Sequence, residues 1–373
     1  MIYLDNAATG GFKPEKVKDE LLFCIENSAN PTRSSHKRAL EIAEKCFVLR
    51  KEVCKLFNFP HIDRVIFTKN CTESLNMAIL GSVKRGGHVI VDCYAHNSLL
   101  RPLYSLKKRG IIDLTVLYPT TFMGKITLKD VISALNKRTY LVCLTHVSNV
   151  VGVENDVEKV GQYLKNTNVL FLIDGAQSGG YLDVDYVKCN FDFLCLPAHK
   201  GLSCPTGLGF LLISKKAKIT PLLLGGTGIK GLELDQPHVF PEGYESGTLP
   251  TVAICGGVEG IKYVNENADK IKDKMSLFAN CLYGEKLPST IILKSVKNNC
   301  GLFSFVIKGK DPSFIANVLD QKYSIALRSG YFCAPLIHRH LGTKKQGLIR
   351  ASFCSFNDLS DVQTLFSALK ELS

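Results

Sequence analysis

Two stretches hold the side chains with the most chemistry. VLFLIDGAQSGG (169–180) and NFDFLCLPAHKGLSCPTGLGFLLISK (190–215) each begin with an apolar run of strand length, the pattern of a strand buried on both faces. Each ends in small and polar residues, where α/β sheets hold ligands beyond the carboxyl ends of their strands. One strand end delivers Asp174 and Gln177, the other His199 and Lys200. An acid, an amide, an imidazole and an amine at one sheet edge suit an aromatic aldehyde cofactor. The amine holds it as a Schiff base and the carboxylate keeps a pyridine nitrogen protonated. The set predicts a pyridoxal 5'-phosphate (PLP) site anchored on Lys200. A lysine with an ordinary pKa near ~10.4 must be depressed for that role, and burial with a neighbouring His⁺ is expected to do it.

Other residues carry two readings each. In FTKNCTESLNMA, Asn70 reads as an N-cap with Glu73 three residues on, a capping-box pattern. The amides of Cys71 and Thr72 then face any anion beyond the helix end, or simply begin a capped helix. Asp174 serves a ligand or caps a turn, and Gly175-Ala176 is read as leaving room for a flat ligand. His96, just past a strand, is a cap or stacks on a planar ring. Arg350, in the strand-like GLIRASF, needs a partner, either a substrate carboxylate in a bidentate fork or a structural acid. Cys333, between Gly330 and Pro335 and near Arg328, is a loop thiol or a nucleophile.

The elements that must position these groups follow from periodicity. Residues 1–12 read as a loop whose small residues, DNAATG, allow close backbone approach. Pro14 starts a helix running to about residue 27, and Ser34 or Ser35 is expected to cap a helix running to about 57. Strands at 64–68, 88–92, 113–118, 139–149, 169–174, 191–196 and 209–214 alternate with helices at about 71–83, 97–109, 127–135 and 155–166. That is the signature of a mostly parallel sheet with crossover helices. A loop-like segment (221–250) and a long helix (about 251–284) lead to a smaller lobe. Its strands are expected near 290–294, 302–307 and 348–353, before an amphipathic last helix.

Composition narrows the function classes. At 373 residues the chain exceeds one small core, and its 46% hydrophobic and 21% charged residues are those of an ordinary globular protein. No apolar run is long enough to span a bilayer and no signal-peptide layout opens the chain, so a cytoplasmic protein is expected, with no membrane partner. The net charge of +12 comes from scattered Lys and Arg, which reads as a solvated basic face rather than a nucleic-acid surface. Fourteen Cys without a Cys-x-x-Cys pair read as reduced, space-filling thiols, with no metal site.

Taken in order, YLDNAATG, NPTRSSHKRA, FTKNCTESLN, AHNS, THVSNVVG, IDGAQSGG, AHKGLSCPTGLG, YESGTLPT, ALRSGYFCAP and RASFCSFN resemble successive blocks of the class V aminotransferase superfamily. The likeness is to its cysteine desulfurases and selenocysteine lyases, and it covers essentially the whole chain. It implies an α/β protein of PLP-dependent transferase fold type I: a large domain (13–255) with a mostly parallel seven-stranded sheet, and a smaller α+β domain (1–12 and 256–373) carrying the Cys loop. It also implies a homodimer with active sites at the interface.

By that resemblance Lys200 is the Schiff-base lysine, Asp174 partners the pyridine nitrogen and Gln177 contacts the phenolic oxygen. Asn149 lies near that oxygen and the substrate, and His96 stacks on the ring. Cys71, Thr72 and His199 hold the phosphate, with Thr248 of the other subunit. Arg350 binds the substrate carboxylate, with Arg328 and His36 as further substrate contacts. Cys333 takes the sulfur of L-cysteine as a persulfide, leaving L-alanine, and passes it to an acceptor protein. Selenocysteine lyase, other C–S lyase or aminotransferase chemistry and an inactive sulfur-transfer scaffold are the alternatives. Three features depart from the pattern: Pro197 replaces a common Ser, Tyr331-Phe332 stands where two histidines are frequent, and the Cys loop is short.

Overall fold

The structure, a computed structural model, describes residues 1–31 and 34–373. The strands are β1 (Ile2–Tyr3), β2 (Val65–Thr68), β3 (Gly87–Asp92), β4 (Ile112–Leu117), β5 (Thr139–Thr145), β6 (Leu170–Asp174), β7 (Phe193–Pro197), β8 (Gly209–Ile213), β9 (Ile291–Leu293), β10 (Leu302–Ile307), β11 (Ile325–Ala326), β12 (Arg328–Gly330) and β13 (Leu348–Ser352). Seven of them form one sheet in the order β2-β8-β7-β6-β5-β3-β4. Strands β4, β3, β5, β6 and β7 run parallel, and β8 is antiparallel to both of its neighbours. Every residue of β2, β3, β5, β7 and β8 is buried, as two-sided covering by helices requires. The outer strand β4 is buried only at its ends.

The crossover helices deliver the strand ends to one edge. The first helices are α1 (Glu15–Asn27), α2 (Lys37–Leu56), α3 (Cys71–Gly81) and α4 (Asn97–Lys108). Next come α5 (Leu128–Ala134), α6 (Val157–Leu164) and α7 (Tyr186–Cys189). The expected serine cap of α2 is corrected: His36 is the N-cap, its Nδ1 accepting from the Ala39 amide at 3.4 Å. Residues 32 and 33 of the NPTRSSH block lie outside the described residues. Strand β5 stops at Thr145 rather than 149. There the Ser148 hydroxyl accepts from the amides of Val150 and Val151, and Gly152 turns at φ +71°. The backbone turns back on itself there, Val147 bridging to Glu154 and Ser148 donating to the Val153 carbonyl at 2.9 Å, which takes it off the ladder.

The expected single helix over 251–284 is two, α8 (Thr251–Glu266) and α9 (Ala268–Gly284), broken at Asn267, whose side-chain and main-chain nitrogens both bond the Tyr263 carbonyl. Helices α10 (Pro312–Tyr323), α11 (Pro335–His340) and α12 (Leu359–Glu371) complete the chain. A four-stranded antiparallel sheet, β12-β13-β10-β9, forms the second layer system. The first residues are not all loop: β1 pairs parallel with β11, and Asp5 bridges to Ser352, so the chain start is stitched to its C-terminal part. Leu4 accordingly packs in the core made by α9, α10, α12 and β10.

Of the fourteen cysteines only Cys333 is exposed, and all are free thiols. No helix among the described residues is long and apolar enough to cross a membrane.

Candidate active site

A cavity of about 210 Å³ opens at the carboxyl ends of β2, β3, β5, β6 and β7. Its wall includes Cys71, Thr72, His96, Asn149, Asp174, Gln177, His199, Lys200, Arg328 and Arg350. Ala7 and Ala8, from the small-residue stretch DNAATG, line one side.

Helix α3 starts at Cys71 because Asn70, in extended backbone, accepts from the Glu73 amide at 3.0 Å, a cap worth about 1 kcal/mol. The capping box is not closed: Glu73 reaches back to the Lys69 amide instead of Asn70. The Cys71 thiol lies 3.8 Å from Asp174 Oδ1, and burial pushes its pKa well up, so it stays protonated. Asp174 is 2% exposed and accepts from the Ala176 amide at 3.0 Å. Burial raises its pKa, opposed by that bond and by Lys200. Gly175 serves packing rather than ligand space, since a Cβ there would meet Leu196 at 2.7 Å and Leu194 at 3.0 Å.

Lys200 Nζ makes no hydrogen bond to a described residue. Its pKa is lowered, first by burial and then, among like charges, by Arg350 and Arg328. The expected His⁺ neighbour is corrected: burial, with Lys200 and Lys13, pushes His199 down to about 4, so it is neutral. The Thr9 hydroxyl lies 2.9 Å from His199 Nδ1, and Gly10 donates to the His199 carbonyl at 2.9 Å. His96 caps α4, its Nδ1 accepting from the Ser98 amide at 3.1 Å, which leaves the ring proton on Nε2. Burial, with Lys200 next, lowers its pKa to about 4. Gln177 donates to the Ala7 carbonyl at 3.1 Å.

These neutral histidines give a checkable pH dependence. The unfolded chain protonates His199 near pH ~6.5 while the native state resists until about 4, so between them the unfolded state binds more protons. Wild-type stability relative to His199→Gln is expected to fall on acidification through that window, by at most ~1.4 kcal/mol per pH unit. Thermal melts of both proteins from pH 7 to 4.5 check it; parallel curves would contradict it.

Arg350 is 1% exposed. Its Nη2 donates to Asp5 Oδ1 at 2.9 Å and its Nη1 to the Asn149 carbonyl at 2.9 Å, while buried Nε has no partner among the described residues. Burial lowers its pKa to about 10, which leaves it charged at neutral pH. The guanidinium sits over the Phe332 ring at 4.7 Å, and Asn149 Nδ2 donates to the Phe332 carbonyl at 2.7 Å. Arg350 thus has the acid partner that the structural reading asks for, and it also lines the cavity.

Three of the singled-out residues lie outside the wall. Cys333 is exposed, one residue beyond cavity-lining Phe332. Thr248 is exposed, on a segment tied to β2 by Glu245, which accepts from the Phe67 amide and from Arg50, each at 2.6 Å. His36 is exposed at the start of α2. Sequence reasoning missed Thr9, Asp5 and Phe332. Thr9 and Asp5 meet His199 and Arg350 only through the fold, 190 and 345 residues away, and Phe332 shows its role only once its ring is seen against Arg350 and Arg328.

A seven-stranded sheet that brings a half-buried lysine and a buried acid to one cavity at its carboxyl edge is the arrangement of a PLP-dependent enzyme of fold type I. Comparison gives the family: the class-V aminotransferase model matches residues 2–365, and the chain belongs to that family. A protein of Pyrococcus abyssi named "Probable cysteine desulfurase" is 33% identical over 387 residues, covering 100% of this chain and 94% of that protein. A "Probable cysteine desulfurase" of Methanothermobacter thermautotrophicus is 30% identical over 385 residues, with coverage of 100% and 94%. The apo structure of a cysteine desulfurase from Thermococcus onnurineus NA1 superposes with a TM-score of 0.91 at 31% identity, covering 100% of this chain and 94% of that one.

Proposed function

We propose that this chain is a cysteine desulfurase, taking L-cysteine to L-alanine and the sulfur to Cys333. The observation that carries the reading is the convergence of Lys200, buried Asp174 and buried Arg350 on one cavity, with a free exposed thiol at Cys333 beside it. The residues fit PLP. The buried Asp174 carboxylate would accept the ring N–H, and the amides at the start of α3, Thr72 and the His199 imidazole would hold the phosphate. Bound there, the cofactor supplies a protonated pyridine ring that stabilises negative charge at the substrate Cα.

The chain's own groups do the rest. Arg350 offers its remaining N–H groups to the amino-acid carboxylate, with Arg328 adding positive charge. Lys200 Nζ, its proton made easier to lose by burial, moves the Cα proton. His96, Gln177 and Asn149, which line the same cavity, would hold the ring in place. Cys333 Sγ, as thiolate, forms a bond to the substrate sulfur as the Cβ–S bond breaks. The product carbon takes up protons to become L-alanine, and Cys333 is left as a persulfide. An acceptor protein would then draw off that sulfur. With this reading go the division into 13–255 and 1–12 plus 256–373, a homodimer in which Thr248 reaches the other subunit's phosphate, and a cytoplasmic setting.

The test follows alanine and sulfide from L-cysteine with a reductant. Cys333→Ala is expected to lose at least ~10²-fold in sulfide release while keeping the cofactor's visible absorbance. Undiminished sulfide from that variant would remove Cys333 from the reaction, and a keto acid in place of alanine would point to transamination or lyase chemistry.

A further inference from the structure

The loop that presents Cys333 is held in an uncommon backbone conformation. Phe332 and Cys333 have φ of +47° and +55°, two successive non-glycine residues in the left-handed region. Such conformations persist only where the surroundings over-determine them. Here the surroundings converge on Phe332 rather than on Cys333. The Phe332 side chain is 3% exposed and lines the cavity. Its ring faces the Arg350 guanidinium at 4.7 Å and that of Arg328 at 6.0 Å, cation–π geometry with both arginines of the site. Its carbonyl accepts from Asn149 at 2.7 Å. By contrast the Cys333 side chain is exposed, and among the described residues its hydrogen bond is made through its carbonyl, which accepts from the Asn97 amide at 2.7 Å, next to His96.

We propose that Phe332 is a positioning residue that pins the Cys333 loop to Arg350, Arg328 and Asn149, the groups that border the amino-acid substrate. The proposal rests on reading Cys333 as the sulfur-taking thiol. An aromatic ring suits the task because it presents two faces to cations and no titratable group of its own. The register of the thiol is thereby tied to the side chains that hold the substrate. Leucine at 332 would keep the apolar burial and lose the π faces. Tyrosine would keep both.

The experiment compares PLP-loaded wild type, Phe332→Leu and Phe332→Tyr by hydrogen exchange and by kinetics. In Phe332→Leu the amides of 331–334 are expected to exchange at least fivefold faster, with the strands β5 and β6 unchanged. Sulfide-forming kcat is expected to fall at least tenfold, while the concentration of L-alanine that half-shifts the cofactor spectrum stays within twofold. Phe332→Tyr restores both. Wild-type exchange at 331–334 in Phe332→Leu would overturn the proposal, as would acceleration spread equally over β5 and β6, the sign of a merely structural role. The exchange arm needs no turnover. It therefore decides the pin even if the wild type releases no sulfide from L-cysteine, an outcome that would remove the desulfurase reading instead.

Discussion

Lys200→Ala is expected to abolish the visible absorbance of the bound cofactor and to lower sulfide production from L-cysteine by ~10⁴-fold, the upper end of what one proton-transferring side chain contributes. The same substitution should cost the cofactor-free protein little stability. Most lysine-to-alanine changes at a paired site leave a stranded partner, but here Nζ has no hydrogen-bond partner among the described residues. The amine also carries a desolvation penalty large enough to lower its pKa. Removing a half-buried cation that has no such partner among the described residues deletes that cost. The melting temperature of apo Lys200→Ala should thus match or exceed that of apo wild type. A strongly destabilised variant would mean that the amine is paired in the native state. A variant that keeps both colour and activity would show that another amine anchors the cofactor.

This opposition between cost and use explains why the site was readable in the chain. Asp174, His199 and Lys200 follow runs such as FDFLCL whose burial on both faces is evident from composition. A charged residue within a few positions beyond such a run must end at the sheet's carboxyl edge, and the seven-stranded order places it there. The alternation of strand and helix fixed the large sheet for the same reason, since periods of 2 and 3.6 are local signals. What escaped was set by distance. The two-residue β1 has no period to detect and exists because β11, over three hundred residues later, offers it a partner. The neutral state of His199 escapes a local reading because its first cause is burial, set by the fold, and because Lys13, which adds to the adjacent Lys200, lies far off in the chain. Helix α10 was a different failure. Asp311-Pro312, a cap followed by a proline in the first turn, was legible, and Asp311 does accept from the Phe314 amide at 2.9 Å.

Arg350 supplies the second large effect, and it separates substrate binding from mere support. Its charge is almost fully buried, and its neutralising partner Asp5 comes from the first turn of the chain. Truncation to alanine leaves Asp5 without its cation and uncovers Phe332, so a stability loss of ~3–5 kcal/mol is expected. If Arg350 only supported the fold, Asp5→Asn would reproduce both that loss and any loss of activity. The geometry predicts otherwise. Nη1 and Nη2 each spend one N–H on the protein, which leaves the second N–H of each for a carboxylate in a paired arrangement. Arg350→Lys keeps a cation near Asp5 but cannot reproduce the fork. It should therefore fold, bind the cofactor and lose ~10²-fold in kcat/KM for L-cysteine, about 3 kcal/mol of transition-state stabilisation. Spectral titration with cysteamine, which lacks the carboxylate, should give the same half-saturation in wild type and Arg350→Lys. An equal loss of cysteamine binding would show that Arg350 shapes the cavity without touching the substrate's carboxylate.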